Sequence, residues 1–261
     1  MNNTKKRSAI ILCGGKGTRL GSIGKKIPKT LVKIQGEEIL KYILSHLIKY
    51  RFDNIILPVG YKGQMIKKFI NKYDKIKKIV KVVPTGQNTE IGKRIAFVEK
   101  FIKSDQTLIL NGDAIFDFNI NNIYKTHKKN NFDVSFLSGE ITYPYGTVGV
   151  KNNKVIDFKR SLKYHALKVR NRVNYTAFNY TGIILINSSI LKKYKNYFKK
   201  FNNFEAEFYP LIIKRFKAQL HILKSFWHSI DNVKDISSAN NVKENRIKFY
   251  KIKKLKKNLI K

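Results

Sequence analysis

The chain has 261 residues, with 54 Lys and Arg against 17 Asp and Glu, so its formal net charge is +37. A hydrophobic content of 43% excludes wholesale disorder, and no apolar stretch approaches the roughly 20 residues of a membrane span. One cysteine excludes an intramolecular disulfide, so we expect a cytoplasmic protein. The lysines are spread over nearly every segment, which favours a general attraction for anionic substrates over a dedicated nucleic-acid surface.

A glycine-rich turn follows the first apolar run, which covers residues 9–13 and is typical of a buried strand. Its glycines allow main-chain N–H groups to approach a ligand closely, and its cationic and hydroxyl side chains add donors. The spacing matches neither a Walker loop nor the Gly-x-Gly-x-x-Gly dinucleotide motif, because Leu20 stands where the last glycine should be. The turn therefore predicts a cradle for a polyphosphate, formed by Gly14, Gly15, Lys16, Gly17, Thr18 and Arg19.

The next hundred residues alternate between strand and helix patterns. We predict strands over 54–59, 79–83 and 107–110 and helices over 38–51, 64–73 and 91–103. This alternation is typical of an α/β fold whose parallel strands are joined by right-handed crossovers.

The pattern loosens beyond residue 119. We predict helices over 121–129 and 205–216 and strands over 134–137, 147–150, 155–158, 181–186 and 220–223. The chain divides into a main domain, 1–240, and a basic tail, 241–261. In this tail Ile252, Leu255 and Leu259 have helical spacing. We favour a C-terminal helix packed on the body or on another subunit over one that touches a membrane or RNA.

Two aspartates follow strand-like segments and are candidates for a metal site. If the glycine turn holds a nucleoside triphosphate, Asp113 and Asp231 are suited to Mg2+, which prefers carboxylate, phosphate and water oxygens. Lys29, whose approach is fixed by Pro28, would offset the repulsion between two reacting phosphates. Weaker metal candidates are Asp117, Asp157 and Asp235. The five histidines show no metal-ligand spacing, and covalent catalysis is not indicated.

The motifs occur in an order that resembles the sugar-phosphate nucleotidyltransferases. The resemblance rests on residues 14–20 with Pro28-Lys29, then Asn111-Gly112-Asp113, Tyr180-Thr181-Gly182 and 227–231. It implies a Rossmann-like (GT-A-like) fold with a mixed, mostly parallel sheet flanked by helices and a small β-rich sugar-binding part, to which we add the basic C-terminal helix expected from the tail. It also implies a reaction in which a nucleoside triphosphate and a sugar 1-phosphate give an NDP-sugar and pyrophosphate.

The resemblance implies a role for each matching residue. Arg19 and Lys29 would be catalytic, and Mg2+ would be held by Asp113 and Asp231. The nucleotide would be bound by Leu12, Gly14, Gly15, Gly17, Thr18, Arg19, Thr85, Gly86 and Gly112. The sugar phosphate would be bound by Arg94, Lys159, Arg160, Thr181 and Gly182.

Within the family, residues 85–89 with Gly92 and Arg94 are most similar to glucose-1-phosphate cytidylyltransferases. We therefore expect CTP as the donor and a product used for surface polysaccharide. The Glu-Lys-Pro common in the family is absent, and residues 159–162 read Lys-Arg-Ser-Leu instead, so the acceptor can differ from glucose 1-phosphate.

Two alternatives stay open. The segment 111–114 also resembles heptose-1-phosphate guanylyltransferases, which would use GTP. A protein of another class would be a basic RNA- or membrane-binding protein on an inactive scaffold, although the chain lacks an aromatic-rich RNA motif. By analogy with related enzymes we expect a homo-oligomer.

Overall fold

The structure of the protein is a computed structural model that describes residues 6–143, 146–160, 162–164, 166–170 and 174–241. The predicted basic tail lies outside the described residues apart from Asn241. Within the described part of the chain, no helix has the length and apolar character needed to cross a bilayer.

The described strands and helices follow one another along the chain, and short 3₁₀ turns lie between some of them. The strands are β1 (Ser8–Leu12), β2 (Lys33–Ile34), β3 (Glu37–Glu38), β4 (Asn54–Val59), β5 (Val80–Pro84), β6 (Gln106–Asn111), β7 (Ala114–Phe116), β8 (Val134–Ser138), β9 (Ile141–Thr142), β10 (Gly146–Lys151), β11 (Lys154–Arg160), β12 (Lys163–Tyr164), β13 (Ala166–Arg170), β14 (Asn174–Phe178), β15 (Tyr180–Asn187), β16 (Ala218–Ile222) and β17 (Trp227–Ser229). The helices are α1 (Ser22–Lys26), α2 (Ile39–Lys49), α3 (Gly63–Asn71), α4 (Asp74–Lys77), α5 (Ile91–Val98), α6 (Ile120–Lys129), α7 (Ser188–Phe198), α8 (Phe204–Arg215) and α9 (Val233–Asn240). The 3₁₀ turns are Thr18–Leu20, Lys29–Leu31 and Glu99–Phe101.

The main sheet of the described residues has seven strands in the order β16-β8-β15-β6-β1-β4-β5. The neighbours β5, β4, β1 and β6 are parallel, as are β8 and β16, whereas β15 is antiparallel to both β6 and β8. The predicted mixed, mostly parallel sheet flanked by helices is confirmed. The antiparallel pairs β10–β11 and β13–β14 lie outside this sheet.

Two apolar layers cover the two faces of the sheet, because successive side chains of a strand point in opposite directions. Ala9 and Ile11 of β1 belong to one layer, with residues of α2, α3 and α6. Ile10 belongs to the other layer, with residues of α5, α7 and α8. The central strands, such as β1 and β4, are therefore buried on both faces, which explains why their sequences are continuous apolar runs, whereas the edge strands β5 and β16 are partly exposed.

The structure differs from the predicted elements at a few points. The helix predicted over 91–103 ends at Val98 and continues as a 3₁₀ turn, Glu99–Phe101, before the chain becomes extended at Ile102. Helix α7 was not predicted, although its N-cap Asn187, at the end of β15, and the two serines that follow are residue types that favour a helix start. Helix α9 was also missed, and its start depends on a capping box made by Asn232 and Asp235.

Candidate active site

Three parallel strands end at one edge of the sheet, and the predicted nucleotide loop begins there. β1 ends at Leu12, and its neighbours β4 and β6 end at Val59 and Asn111. Cys13 forms a bridge with Val59, and the Gly112 N–H donates to the Leu12 carbonyl at 3.1 Å. In open α/β sheets, ligands bind in the crevice at this edge.

Close packing explains glycines in the glycine loop and in the turn after β6. A Cβ at Gly14 would overlap the Arg94 guanidinium, and a Cβ at Gly112 would lie 2.6 Å from Thr30 Cγ2 and 2.9 Å from the Leu12 carbonyl oxygen. Gly17 has φ 63°, a left-handed conformation that favours glycine. The backbone can therefore turn tightly here, as the sequence pattern predicted.

Arg94 lies beneath the glycine loop and is 4% exposed. Its guanidinium donates to the Gly14 carbonyl at 3.1 Å, to Thr85 Oγ1 and to the Gln87 carbonyl at 3.4 Å. Burial lowers its pKa, although the charge of Glu90 opposes this effect. Arg94 therefore ties the loop to the turn after β5, and its contact with a sugar phosphate stays a prediction.

Thr85 and Thr181 also have structural partners. The Thr85 hydroxyl donates to the Val59 carbonyl at 2.9 Å, and the Thr181 hydroxyl donates to the Leu137 carbonyl at 2.8 Å. Both residues are buried, being 6% and 3% exposed. A contact of either residue with a substrate would thus come from its backbone, not from its hydroxyl group.

Lys29 joins the two predicted metal ligands. Its ammonium lies 2.7 Å from Asp113 Oδ2 and 2.9 Å from Asp231 Oδ1. The two aspartates are brought together by the antiparallel pairing of β7 with β17 and by the Ile230 N–H, which donates to the Asp113 carbonyl at 2.9 Å. The carboxylates remain partly exposed, at 25% and 45% of their side chains, so a ligand can reach them.

The charges of this cluster stabilise one another. Burial alone would lower the pKa of Lys29, but the carboxylates of Asp113 and Asp231 outweigh it and raise that pKa. Burial would likewise raise the pKa of Asp231, but hydrogen bonds from Lys29 and Ser229, with a contribution from the charge of Arg19, lower it. Both shifts favour the charged forms, so the Lys29 ammonium and the Asp231 carboxylate stabilise each other.

Ser229 and Asp235 fix the position of Asp231. The Ser229 hydroxyl donates to Asp231 Oδ2 at 2.7 Å, a contact that the sequence analysis did not predict. Asp235 Oδ2 accepts from the backbone N–H groups of Asp231 and Asn232 at 2.6 and 2.9 Å. Asp235 is therefore the N3 residue of the capping box at the start of α9, whose N-cap is Asn232, and one of its carboxylate oxygens is used there.

The other weak metal candidates have partners elsewhere. Asp117 Oδ1 lies 3.8 Å from His46 Nδ1, and Asp157 Oδ2 lies 3.1 Å from Lys159 Nζ on the exposed hairpin β10–β11. Cys13 is buried, and burial raises its pKa, so it is not a reactive thiolate. These placements leave Asp113 and Asp231 as the aspartates that meet at the loop edge.

The residues present fit Mg2+ held jointly by protein and substrate. Among the described residues there is no group of three or more His, Cys, Asp or Glu that could hold a metal. Mg2+ is commonly bound by only one or two carboxylates, together with substrate phosphates and water. Asp113 and Asp231, which already share a cationic partner, suit such a site.

The predicted sugar-phosphate residues lie in two different places. Gly182 has φ 74°, and a Cβ there would overlap the side chain of Asn111, which precedes Gly112 and Asp113. Gly182 is thus close to the loop edge. Lys159 and Arg160 lie on β11, where both are exposed. No described hydrogen bond or ion pair connects these two residues with Lys29, Asp113 or Asp231.

A family model described as "Nucleotidyl transferase" matches residues 8–246. The chain is 33% identical over 166 residues to the D-glycero-alpha-D-manno-heptose 1-phosphate guanylyltransferase of Campylobacter jejuni, covering 59% of this chain and 68% of that protein. It is 27% identical over 239 residues to a mannose-1-phosphate guanyltransferase of Aspergillus oryzae, covering 88% and 62%. The chain therefore belongs to the nucleotidyl transferase family, the class of sugar-phosphate nucleotidyltransferases that its motifs resemble.

Solved structures agree with this fold. HddC from Yersinia pseudotuberculosis, in a crystal structure with GMP-PN, superposes with a TM-score of 0.66 at 22% identity, covering 90% of this chain and 98% of that one. The chain spans between 55% and 69% of the length of the curated relatives reported for it. The relatives named here are guanylyltransferases, and cytidylyl specificity finds no support among them.

Proposed function

We propose that this protein transfers a nucleotidyl group from a nucleoside triphosphate to a sugar 1-phosphate and releases pyrophosphate. The observation that carries the proposal is the Lys29 ammonium, held 2.7 Å from Asp113 and 2.9 Å from Asp231. This cluster lies where β6 and β7 meet the edge at which the glycine loop begins. A cation, two carboxylates and a phosphate loop are the components that phosphoryl-type transfer requires.

The reaction needs positioning more than it needs a base. An oxygen of the sugar phosphate, already an anion, attacks the α-phosphorus of the triphosphate, and the bond from that phosphorus to the bridging oxygen breaks, so that pyrophosphate leaves. Lys29 stays protonated at neutral pH because the two carboxylates raise its pKa. Its charge offsets the repulsion between the two anionic reactants as they are brought together.

Asp113 and Asp231 would hold Mg2+, which supplies further neutralisation of phosphate charge when it is bound. Loop N–H groups at Gly14, Gly15 and Gly17, together with the exposed side chain of Arg19, would bind the triphosphate. Arg94 holds the Gly14 carbonyl from below, which keeps this loop in place before the nucleotide arrives.

We propose GTP as the preferred donor and a manno-configured sugar 1-phosphate as the acceptor. The heptose and mannose enzymes among the relatives support this choice, as does the resemblance of residues 111–114 to heptose-1-phosphate guanylyltransferases. CTP is the alternative donor, supported by the similarity of residues 85–89 to cytidylyltransferases. A nucleotide-activated sugar made in this way would suit surface polysaccharide synthesis.

The test is Mg2+-dependent pyrophosphate release with GTP, CTP, UTP and dTTP, each combined with mannose, manno-heptose, glucose and N-acetylglucosamine 1-phosphates. We expect turnover with GTP and one of the two manno-configured acceptors. Turnover only with CTP would replace the proposed donor and keep the reaction. No turnover in folded protein that also fails to bind any of the nucleotides would overturn the proposed reaction and favour an inactive scaffold.

A further inference from the structure

A large cavity lies at the edge of the sheet opposite the candidate active site. It has a volume of about 1270 Å³ and is lined by the segments that precede β1 and β6, by the end of α2 and by one face of α6. The active site lies at the carboxyl ends of the same strands. Because β1 has five residues, and a strand rises about 3.3 Å per residue, the two edges are roughly 15 Å apart.

The cavity is strongly cationic. Its lining has seven Lys and Arg side chains and two carboxylates, those of Asp53 and Asp105. Asp53 accepts the backbone N–H of Arg7 at 3.1 Å, so part of its hydrogen-bonding capacity is used within the chain. The lining therefore has five more positive than negative charges, and a concave surface of one sign concentrates its field on a bound ion.

Arg7 is committed to the structure. Its guanidinium donates to the Tyr50 carbonyl at 2.7 Å and to Asn121 Oδ1 at 2.8 Å, and it stacks 4.7 Å from the Tyr124 ring centroid. It thus satisfies a carbonyl at the end of α2, where the helix dipole would otherwise repel an anion. The ligand-binding charge must therefore come from the other cations of the lining.

Five of these other cations come from three separate segments. Lys49 and Arg51 lie at and after the end of α2, Lys103 precedes β6, and Lys125 and Lys128 lie on α6. All five are exposed, and none forms an ion pair within the described residues. Lys125 and Lys128 are three positions apart and so share one face of the helix.

We propose that this cavity binds a small polyphosphorylated anion. Cations that approach from three sides can contact several phosphate groups of one molecule at once, whereas a single phosphate would reach fewer of them. The volume accommodates an inorganic oligophosphate or a nucleoside polyphosphate, which share this chemistry. The site is independent of the glycine loop and does not rest on the proposed function.

Anions could also bind through the general positive charge of the chain. Matched variants distinguish this non-specific binding from binding in the cavity. The site variant is Lys103→Ala/Lys125→Ala/Lys128→Ala. The control, Lys67→Ala/Lys68→Ala/Lys75→Ala, removes three exposed lysines from α3 and α4, outside the cavity. Both variants lower the net charge of the chain by three.

The experiment measures binding of tripolyphosphate and of ATP without Mg2+ at about 150 mM salt, where the Debye length is about 8 Å, and maps it by hydrogen exchange. We expect protection at residues 49–53, 103–106 and 121–128 in addition to any at the glycine loop. The site variant should bind these ligands at this face at least about tenfold more weakly than the native chain does. The affinity of the control variant should stay within about twofold of the native value. Binding of tripolyphosphate alone identifies an inorganic ligand, and tighter binding of ATP identifies a nucleotide.

Protection confined to the glycine loop and the Lys29 segment would overturn the proposal. So would an equal loss in both variants, because net charge alone would then explain binding. Preferential binding of mixed-sequence RNA at this face, not displaced by tripolyphosphate, would assign the cavity to a macromolecule instead. Pyrophosphate release is measured separately, so a protein without turnover that still binds tripolyphosphate here would contradict only the proposed function.

Discussion

Lys29 holds one positive charge between two carboxylates, which makes it the residue whose removal tests the chemistry most directly. In Lys29→Ala, we expect turnover to fall by at least about 10²-fold, the scale of losing one preorganised electrostatic group. The measurement is the rate of pyrophosphate release at saturating substrates.

Lys25 offers a matched control for this variant, since it is an exposed lysine four positions earlier. Lys25→Ala should keep near-normal turnover. If Lys29→Ala also keeps near-normal turnover, Lys29 has no catalytic role and its contacts with Asp113 and Asp231 are structural.

The same cluster predicts how stability depends on pH. The pKa of Lys29 is raised on folding, so its contribution is present below the unfolded value of about 10.4 and is lost as pH rises through the folded value. The pKa of Asp231 is lowered, so its contribution is present above the unfolded value of about 3.9 and is lost as pH falls through the folded value.

The free energy of unfolding, measured with denaturant, should therefore differ most between the native chain and Lys29→Met at about pH 5 to 9. This difference should become smaller at lower and at higher pH. Lys25→Met supplies the comparison for a lysine outside the cluster. A difference that stays constant from pH 3 to 11 would show that the pairing contributes nothing to stability.

Gly112 and Gly15 form a second matched pair. A Cβ at Gly112 meets Thr30 and the Leu12 carbonyl at under 3 Å, whereas a Cβ at Gly15 meets nothing within 4 Å. We expect Gly112→Ala to lower the free energy of unfolding by about 1–3 kcal/mol and Gly15→Ala to change it by less than about 0.5 kcal/mol. Chemical denaturation measures both.

Thr30→Ser removes the methyl group that the new Cβ of Gly112→Ala would meet, so combining the two substitutions should restore part of the lost stability. Equal stability of the two single alanine variants would mean that the crowding at Gly112 relaxes without cost.

At the scale of elements, Arg94 connects α5 to two loops. Its guanidinium binds the Gly14 carbonyl, Thr85 and the Gln87 carbonyl. Arg94→Met would remove these three hydrogen bonds, so that the buried Gly14 carbonyl and the buried Thr85 hydroxyl would each lose one partner. We expect a loss of about 2–4 kcal/mol in stability and faster hydrogen exchange at residues 14–19 and 85–89. The control Lys93→Ala replaces an exposed residue on the same helix. It should change neither the stability nor the hydrogen exchange of these segments.

Steady-state kinetics of Arg94→Met then separate loop support from direct binding of the acceptor. Loop support predicts a higher KM for the nucleoside triphosphate. A higher KM for the sugar phosphate alone, with unchanged hydrogen exchange, would instead support the direct contact that the family resemblance implied.

At the scale of the whole molecule, the net charge of +37 should steer anionic substrates toward the protein. We expect kcat/KM to fall at least about threefold between 50 and 300 mM NaCl, because salt screens long-range attraction, while kcat changes much less. Sucrose at equal osmolality controls for non-ionic effects. A kcat/KM that does not change with salt would show that the lysines do not speed the association of substrate with the protein.

Local sequence patterns predicted most of the fold. Continuous apolar runs marked β1, β4 and β6, because strands buried on both faces need no polar alternation. Residues 39–47 had the spacing of a helix with one buried face, and Ile39, Leu40, Ile43, Leu44 and Leu47 are all buried in the structure. Helix α7 was missed even though Asn187 and the two serines after it favour a helix start, and β15 passes into it at Asn187.

The sequence by itself determined the glycine loop, Lys29 and the candidate aspartates, since these depend on residue type and local spacing. Only the tertiary structure decided which charges meet. The pairing of β7 with β17 brings Asp231 to Asp113, Arg94 of α5 donates to the Gly14 carbonyl and to Thr85, and Asp235 completes the capping box of α9. Such contacts join residues far apart in the chain, and no local pattern encodes them, because they arise from how the strands and helices pack.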